Sequence, residues 1–129
     1  MGPNSAWWDE YKPFADYCRR MCWLNAEGRH VCDLAILGES NRLPWDAAKV
    51  CFQHQRDFSY LEARHLWEDA QVSEDGIRIA GMHYKALIVE EGIRVPEQAR
   101  PGLETLCRAG RVIVWGAREN LDGAVSAGT

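Results

Sequence analysis

The stretch GRHVCDLAILGESN, residues 28–41, decides how the rest of the chain is interpreted. It has a glycine that can end a helix, an apolar run from Val31 to Leu37 interrupted by Asp33, and a second glycine before a polar loop. An apolar run of this length is typical of a parallel strand that is covered on both faces. We therefore predict a buried strand over 31–37. The loop that follows it is at the position where α/β proteins usually bind ligands.

The same pattern occurs twice more, at 84–89 and 111–115, where apolar runs of strand length end close to a glycine. Between these strands the sequence predicts helices over 9–27, 58–69 and 97–109, and Asp75-Gly76 predicts the turn of a short hairpin. Strands that alternate with helices indicate an α/β fold, a three-layer sandwich with a small, mainly parallel sheet. Because three core strands are few for such a fold, we expect it to be truncated.

Each helix prediction depends on a local signal. An apolar stripe marks the first helix and consists of Phe14, Tyr17, Cys18, Met21 and Leu24. Pro13 suits the first turn of that helix. For 58–69 the signal is a capping box, with Ser59 as the cap and Glu62 three residues later. The segment PWDAAKVCFQHQ, residues 44–55, has a weaker helical pattern.

Length and charge limit the possible classes of function. The chain has 129 residues, the size of one domain, and we expect a single domain over 1–129, with an N-terminal arm at 1–12 and a flexible tail at 117–129. The net charge is −4 and no basic patch is interleaved with aromatic residues, so we expect no nucleic-acid partner. No apolar run is long enough to cross a membrane, and the first residues do not resemble a signal peptide. These features predict a cytoplasmic protein without a membrane partner.

The cysteines and histidines do not form a recognisable site. The five cysteines are odd in number and irregularly spaced, which argues against a disulfide framework. Cys18 and Cys22 have a helical spacing that can hold a metal, but no second pair completes the site. The loop after the first strand lacks the glycine pattern of a nucleotide site. We therefore predict neither a metal nor a cofactor.

The polar residues that follow two predicted strands form a possible ligand crevice. Its members are Glu39, Ser40, Asn41, Glu90 and Glu91. Because parallel strands end at the same edge of a sheet, these side chains could converge, and paired carboxylates can perform acid–base chemistry. The alternative is that they belong to solvated loops. No cysteine lies at a predicted strand-to-helix turn, so we assign no catalytic residue.

Two segments, taken in order, resemble a known family. Residues 7–41, with Trp7, Trp8, Tyr17, Arg19, Arg20 and Gly28, are similar to the linker helix and first strand that follow the catalytic barrel of α-L-rhamnosidase-type glycoside hydrolases. Residues 57–92 resemble a later block of the same region. The resemblance implies a degenerate class I glutamine amidotransferase-like domain, which is flavodoxin-like and has lost its triad. At the place of the amidotransferase nucleophile this chain has Gly116, Ala117 and Arg118, without a cysteine.

These observations lead to two functional hypotheses. The first is a non-catalytic α/β module that acts through self-association or protein interaction, since a similar domain serves oligomerisation in some β-galactosidases. We expect a homodimer with Trp7, Trp8 and Trp115 as interface candidates, because buried aromatic residues dominate interface energies. A glycoside hydrolase barrel or a carbohydrate is a further possible partner. The alternative hypothesis is a small stand-alone carbohydrate-binding protein or hydrolase that uses the carboxylates at the strand ends.

Overall fold

The computed structural model describes residues 4–26, 28–116 and 125–127. The chain divides into two compact units, one that ends at His30 and one that begins at Val31. In chain order the elements are α1 (Trp8–Ala26), β1 (Leu34–Gly38), α2 (Asp46–Gln53), β2 (Phe58–Glu62), α3 (His65–Glu68), β3 (Gln71–Ser73), β4 (Gly76–Ile79), β5 (Met82–Tyr84), β6 (Ala86–Glu90), a 3-10 turn (Glu97–Ala99), α4 (Arg100–Arg108), β7 (Val112–Trp115) and β8 (Val125–Ala127).

The first unit consists of α1, which matches the helix predicted over 9–27 to within one residue at each end. The helix begins earlier than its proline indicated. The Trp8 amide donates to the Ser5 carbonyl oxygen at 3.0 Å, and Asp9 and Glu10 lie in the first turn, where the helix dipole favours acidic side chains. Pro13 therefore lies inside the helix, and its predicted place in the first turn was wrong.

The second unit is built on a parallel sheet with the strand order β2-β1-β6-β7-β8. The α/β prediction with a mainly parallel sheet is confirmed, and the three predicted strands correspond to β1, β6 and β7. The first strand begins only after Asp33, whose carbonyl oxygen accepts from the amides of Lys85 and Ala86. Val31, which we predicted inside the strand, is 87% exposed.

The helix predicted over 58–69 was wrong in its first half, which forms β2. This strand pairs with β1 from Leu34↔Phe58 to Gly38↔Glu62. Its side chains alternate between the two faces: Phe58 and Tyr60 share one face with ring centroids 5.4 Å apart, and Leu61 is buried on the other. The helical part is the single turn of α3. A capping box is a local signal, and pairing with a fully buried neighbouring strand outweighs it.

Five parallel strands are described, so the count of three that motivated the expected truncation was too low. Numbered among themselves in chain order, they lie in the order 2-1-3-4-5, which is also the order of flavodoxin-like doubly wound sheets. The flavodoxin-like assignment and the truncation stay predictions. The tail predicted over 117–129 lies outside the described residues except for 125–127, which pair with β7 as β8.

The two faces of the sheet are covered unequally. One face packs against α3, α4 and the small antiparallel sheet β3-β4-β5, and its buried cluster includes Leu37, Leu87 and Leu106. The other face packs against α2, with a smaller buried cluster of Ile36, Ala47, Ala48, Cys51 and Ile88. Helices thus lie on both faces, which gives the predicted three layers. Among the described residues, no helix is long and apolar enough to cross a membrane.

The predicted turn at Asp75-Gly76 connects β3 to β4 and is confirmed. Arg78 donates to the Asp75 carboxylate at 2.6 Å, and this hydrogen bond is the main reason why the pKa of Asp75 lies below its ordinary value. Arg111, just before β7, donates to the Glu74 carbonyl oxygen at 2.5 Å. The turn is therefore attached to the amino end of the parallel sheet.

We expect Gly76→Ala to be the most disruptive small substitution in this sheet. Gly76 has φ = +132°, and a Cβ there would overlap the carbonyl oxygen of Tyr84, a fully buried residue. Urea denaturation should show a loss of more than about 2 kcal/mol, from backbone strain and displaced packing. Gly110→Ala is the matched control, because Gly110 also has positive φ (+67°) but nothing lies within 4 Å of the position that a Cβ would take there. It should cost only about 1 kcal/mol. Equal losses would contradict this explanation.

Candidate functional site

The candidate ligand site is at the carboxyl ends of β1 and β6. The chain leaves β1 toward β2 on one side and leaves β6 toward β7 on the other, so the direction of winding changes between these adjacent strands. Ligands of open α/β sheets bind at such a switch point. Two loops border it here, residues 39–45 and 91–96.

The chain's own side chains connect these two loops. The Glu39 carboxylate accepts a hydrogen bond from the backbone amide of Arg94 at 2.8 Å. Arg42 donates to the carbonyl oxygen of Gly92 at 2.7 Å, and the backbone of Arg42 pairs with that of Glu39. The first loop thus contributes the two side chains, and the second loop contributes the backbone groups to which they bond. One carboxylate oxygen of Glu39 is engaged in holding the loops together.

A crevice of about 190 Å³ lies beside this connection, next to the ends of β1 and β2. It is smaller than the roughly 300–1,000 Å³ of typical small-molecule sites. The residues that line it are Glu39, Ser40, Asn41, Glu62, Ala63, Arg64, Trp67, Arg94 and Pro96. Three of the five predicted crevice residues, Glu39, Ser40 and Asn41, therefore line the same crevice. The two carboxylates and two guanidinium groups in this lining balance each other in charge.

Glu62 is the central charged group of the crevice and was not among the predicted site residues. Ser40 donates its hydroxyl to Glu62 at 2.5 Å, and Arg64 donates to the other carboxylate oxygen at 3.0 Å. The Ser40 hydrogen bond is the largest cause that lowers the pKa of Glu62, and the Arg64 charge also lowers it. Sequence reasoning missed this residue because it placed 58–69 in a helix. The alternation of Phe58, Tyr60 and Glu62 is the signal that could have located it at a strand end.

Glu90 and Glu91 are not among the described residues that line this crevice. The Glu90 carboxylate accepts from the amide of Ala47 at 2.9 Å, in the first turn of α2. Helix amides at this position lack an intrahelical partner, so Glu90 acts as a cap supplied by a neighbouring strand. Glu91 lies beside Gly116, and its amide donates to the carbonyl oxygen of Trp115 at 2.9 Å. The Glu90 carboxylate and the Glu91 backbone thus have structural contacts outside the crevice.

No described thiol or imidazole lines the crevice, although His65 is close enough for its charge to contribute to the lowered pKa of Glu62. Cys51 on α2 and Cys107 on α4 are buried, and burial raises the pKa of each thiol, which disfavours the reactive thiolate. His65 bonds to Asp69 at 2.8 Å and His83 lies 3.3 Å from Asp75. Among the described residues, no group of three or more His, Cys, Asp or Glu has a geometry that could hold a metal ion.

The aromatic surface of α1 is a second candidate site, of a different kind. None of the described helix residues Trp8–Ala26 is buried. Trp7 is 70% exposed and Phe14 60% exposed, and the ring of Trp8 stacks on that of Tyr11 at 5.9 Å. Soluble proteins rarely expose contiguous apolar surface of this kind unless it binds something. The third interface candidate, Trp115, belongs to the second unit. It is the last residue of β7 and packs, partly buried, against the apolar cluster between the sheet and α2.

We expect Ser40→Ala to raise the pKa of Glu62 toward its ordinary value of 4.5, because the hydrogen bond that favours the ionised carboxylate is removed. An NMR titration of the side-chain carboxyl carbon measures this shift. Ser73→Ala is the control, since the Ser73 hydroxyl accepts from the Asp75 amide and does not contact Glu62. An unchanged pKa of Glu62 in Ser40→Ala would show that this hydrogen bond is not formed in solution.

We compared the chain with known proteins, and no protein-family model, no curated protein and no solved structure matches it.

Proposed function

We propose that this protein is a non-catalytic α/β module that acts by associating with a second copy of itself. We further propose that it is related to the accessory domain that follows the catalytic barrel in α-L-rhamnosidase-type glycoside hydrolases. The single observation that carries the association is the aromatic surface of α1, in a helix without a buried residue among Trp8–Ala26. The relation to the accessory domain rests on the ordered resemblance of residues 7–41 and 57–92.

The energetic argument for association is the burial of apolar side chains. Removing apolar surface from water stabilises a complex by about 25 cal/mol per Å². Side chains of Trp, Tyr and Phe supply the largest areas and most binding hot spots. The exposed ones near the amino end of the chain are Trp7, Trp8, Tyr11, Phe14 and Tyr17. Exposure of these apolar side chains to water is unfavourable. A second copy offers an identical apolar surface that can cover them.

The α2 face of the sheet supports the same proposal. Its buried cluster has five residues, while Ile113 and Trp115 are only partly buried at its border. Phe52 on α2 is exposed, with its ring 5.2 Å from that of Phe58. Trp115 is therefore accessible as an interface residue, as the first hypothesis requires.

The crevice favours a second candidate function, carbohydrate binding. It combines a partly exposed indole, Trp67, with the hydroxyl of Ser40 and the amide of Asn41. Aromatic faces and planar polar groups are the usual partners of sugar rings. Hydrolysis is less well supported, because Glu39 is engaged with the Arg94 amide and Glu90 with the Ala47 amide.

Sedimentation equilibrium at micromolar concentration tests the association. We expect a species of twice the 14.7 kDa chain mass. Trp8→Ala should weaken the dimer at least tenfold, since truncating an aromatic hot spot costs about 2 kcal/mol or more and about 1.4 kcal/mol corresponds to a tenfold change. Trp23→Ala is the matched control: Trp23 is 79% exposed and lies seven residues from Asp16, on the polar side of α1. A 14.7 kDa monomer would reject the proposed function.

Incubation with aryl glycosides, including the α-L-rhamnoside, and with glutamine tests the absence of catalysis. We expect no turnover, because the described carboxylates and thiols do not form a nucleophile and base at the crevice. Turnover that disappears in Glu39→Gln would instead support the alternative hypothesis of a small stand-alone hydrolase. Glu90→Gln distinguishes the two glutamates, since Glu90 caps α2 and its loss should lower stability without affecting sugar binding.

A further inference from the structure

We propose that the crevice beside the ends of β1 and β2 binds a small sugar acid, that is, a sugar that carries a carboxylate group. This inference rests on the second candidate function, carbohydrate binding, and adds the charge of the ligand. It does not depend on self-association. The crevice borders the switch point of the sheet, where open α/β sheets bind their ligands, and its volume of about 190 Å³ restricts the ligand to a small molecule.

The acceptor groups of the crevice are mostly in use already. Both carboxylate oxygens of Glu62 accept hydrogen bonds, one from the Ser40 hydroxyl at 2.5 Å and the other from Arg64 at 3.0 Å. One carboxylate oxygen of Glu39 accepts from the Arg94 amide at 2.8 Å. The second oxygen of Glu39 is therefore the carboxylate oxygen of the crevice that has no partner among the described residues.

The donor groups of the crevice, by contrast, are largely unused. Within the described part of the chain, the guanidinium group of Arg94 has neither a hydrogen bond nor an ion pair, and Arg64 donates only through its Nε. The side-chain amide of Asn41 and the indole N–H of Trp67 have no described partner either. Guanidinium groups donate and never accept, so the crevice offers a ligand mainly donors. A carboxylate is the group that binds such donors most strongly.

The chain itself fixes the parts that carry these arginines. The loop of residues 91–96 is bonded to the loop after β1 through the Arg94 amide and through the Gly92 carbonyl oxygen. The Nε of Arg64 is held by Glu62. These bonds leave the terminal guanidinium nitrogens available for a ligand. Groups that are ordered before binding lose less conformational entropy when the ligand binds, which favours affinity.

The rest of the lining fits the ring and the hydroxyl groups of a sugar. Trp67 is 39% exposed and supplies an indole face on which a sugar ring can stack. The second oxygen of Glu39 can accept from a hydroxyl group, and the Asn41 amide can both donate and accept. A second carboxylate on the ligand would be repelled by Glu39. One carboxylate for the arginines, with hydroxyl groups elsewhere, is the composition of a sugar acid.

An NMR titration of the isotope-labelled protein with D-glucuronate at neutral pH tests this inference. D-Glucose lacks the carboxylate and acetate lacks the ring, so these two probes separate the contributions. We expect glucuronate to shift the signals of the Trp67 indole N–H and the Arg94 amide. Because the crevice is small and open, we expect a dissociation constant on the order of 1 mM. Glucose and acetate should each bind about tenfold more weakly, since each lacks one set of contacts.

Arg94→Gln should weaken the binding of glucuronate about tenfold, because it removes a charged donor group, and should leave the binding of glucose unchanged. Arg100→Gln is the matched control. It makes the same change in net charge at an exposed arginine that lies 3.8 Å from Glu97 and does not line the crevice. We expect no change in its dissociation constant for glucuronate. The NMR spectrum of each variant also verifies that the fold is retained.

The outcomes separate this inference from the functions proposed above. Equal binding of glucuronate and glucose overturns the role of the carboxylate and leaves carbohydrate binding in place. Equal binding of glucuronate and acetate overturns the role of the sugar ring. Equal losses in Arg94→Gln and Arg100→Gln overturn the assignment to the crevice, because net charge then explains the effect. If no probe shifts these signals, both the inference and the second candidate function are wrong, whereas self-association is decided separately by sedimentation.

Discussion

Strand β1 is the constraint on which the second unit depends. Ala35, Ile36 and Leu37 are fully buried, and the strand is paired along its whole length with β2 on one side and over Leu34–Ile36 with β6 on the other. A backbone buried this deeply must satisfy each N–H and C=O group within the protein, so both neighbours have to be parallel strands in a fixed register. Successive side chains of β1 enter opposite faces, with Leu37 in the cluster under α4 and Ile36 in the cluster under α2.

The same constraint explains why the carboxyl ends of the strands are held together by the chain itself. Once β1 and β6 are neighbours, the loops that follow them must lie close to each other. Their polar groups need partners, and Glu39 with the Arg94 amide and Arg42 with the Gly92 carbonyl supply them. The position at which this class of fold binds ligands is thus braced by internal hydrogen bonds, and the space that remains is a small, charge-balanced crevice beside it.

The first unit follows a different principle. Local interactions are enough to explain α1: an acidic first turn, ion pairs at i, i+3 and i+4, and an asparagine that bonds to the last turn. None of these interactions covers the aromatic side of the helix. Because helix propensity and surface ion pairs each contribute little, a second apolar surface is the main source of further stability for α1. In the proposed function, association with a second copy supplies that surface.

The sequence by itself determined the elements whose signals are local or continuous. The apolar runs of β1, β6 and β7, the stripe of α1 and the Asp75-Gly76 turn were all located from residue pattern. It also predicted that Glu39, Ser40 and Asn41 lie together, because they are adjacent in the chain. For 58–62 two local signals competed, a capping box at Ser59 and Glu62 and an alternation through Phe58 and Tyr60. The tertiary structure decided in favour of the strand, since β1 is buried and requires a partner on that edge.

Tertiary structure also decided the roles of the carboxylates, and the reason is geometric. Glu39, Glu62 and Glu90 all follow or end apolar strands, and nothing in their neighbours distinguishes them. Their functions depend on residues far away in the chain: the amide of Arg94 for Glu39, the hydroxyl of Ser40 for Glu62, and the amide of Ala47 for Glu90. A sequence encodes period and propensity over a few residues, whereas a hydrogen-bond partner 22 to 55 positions away is set by strand order and by the face to which each side chain points.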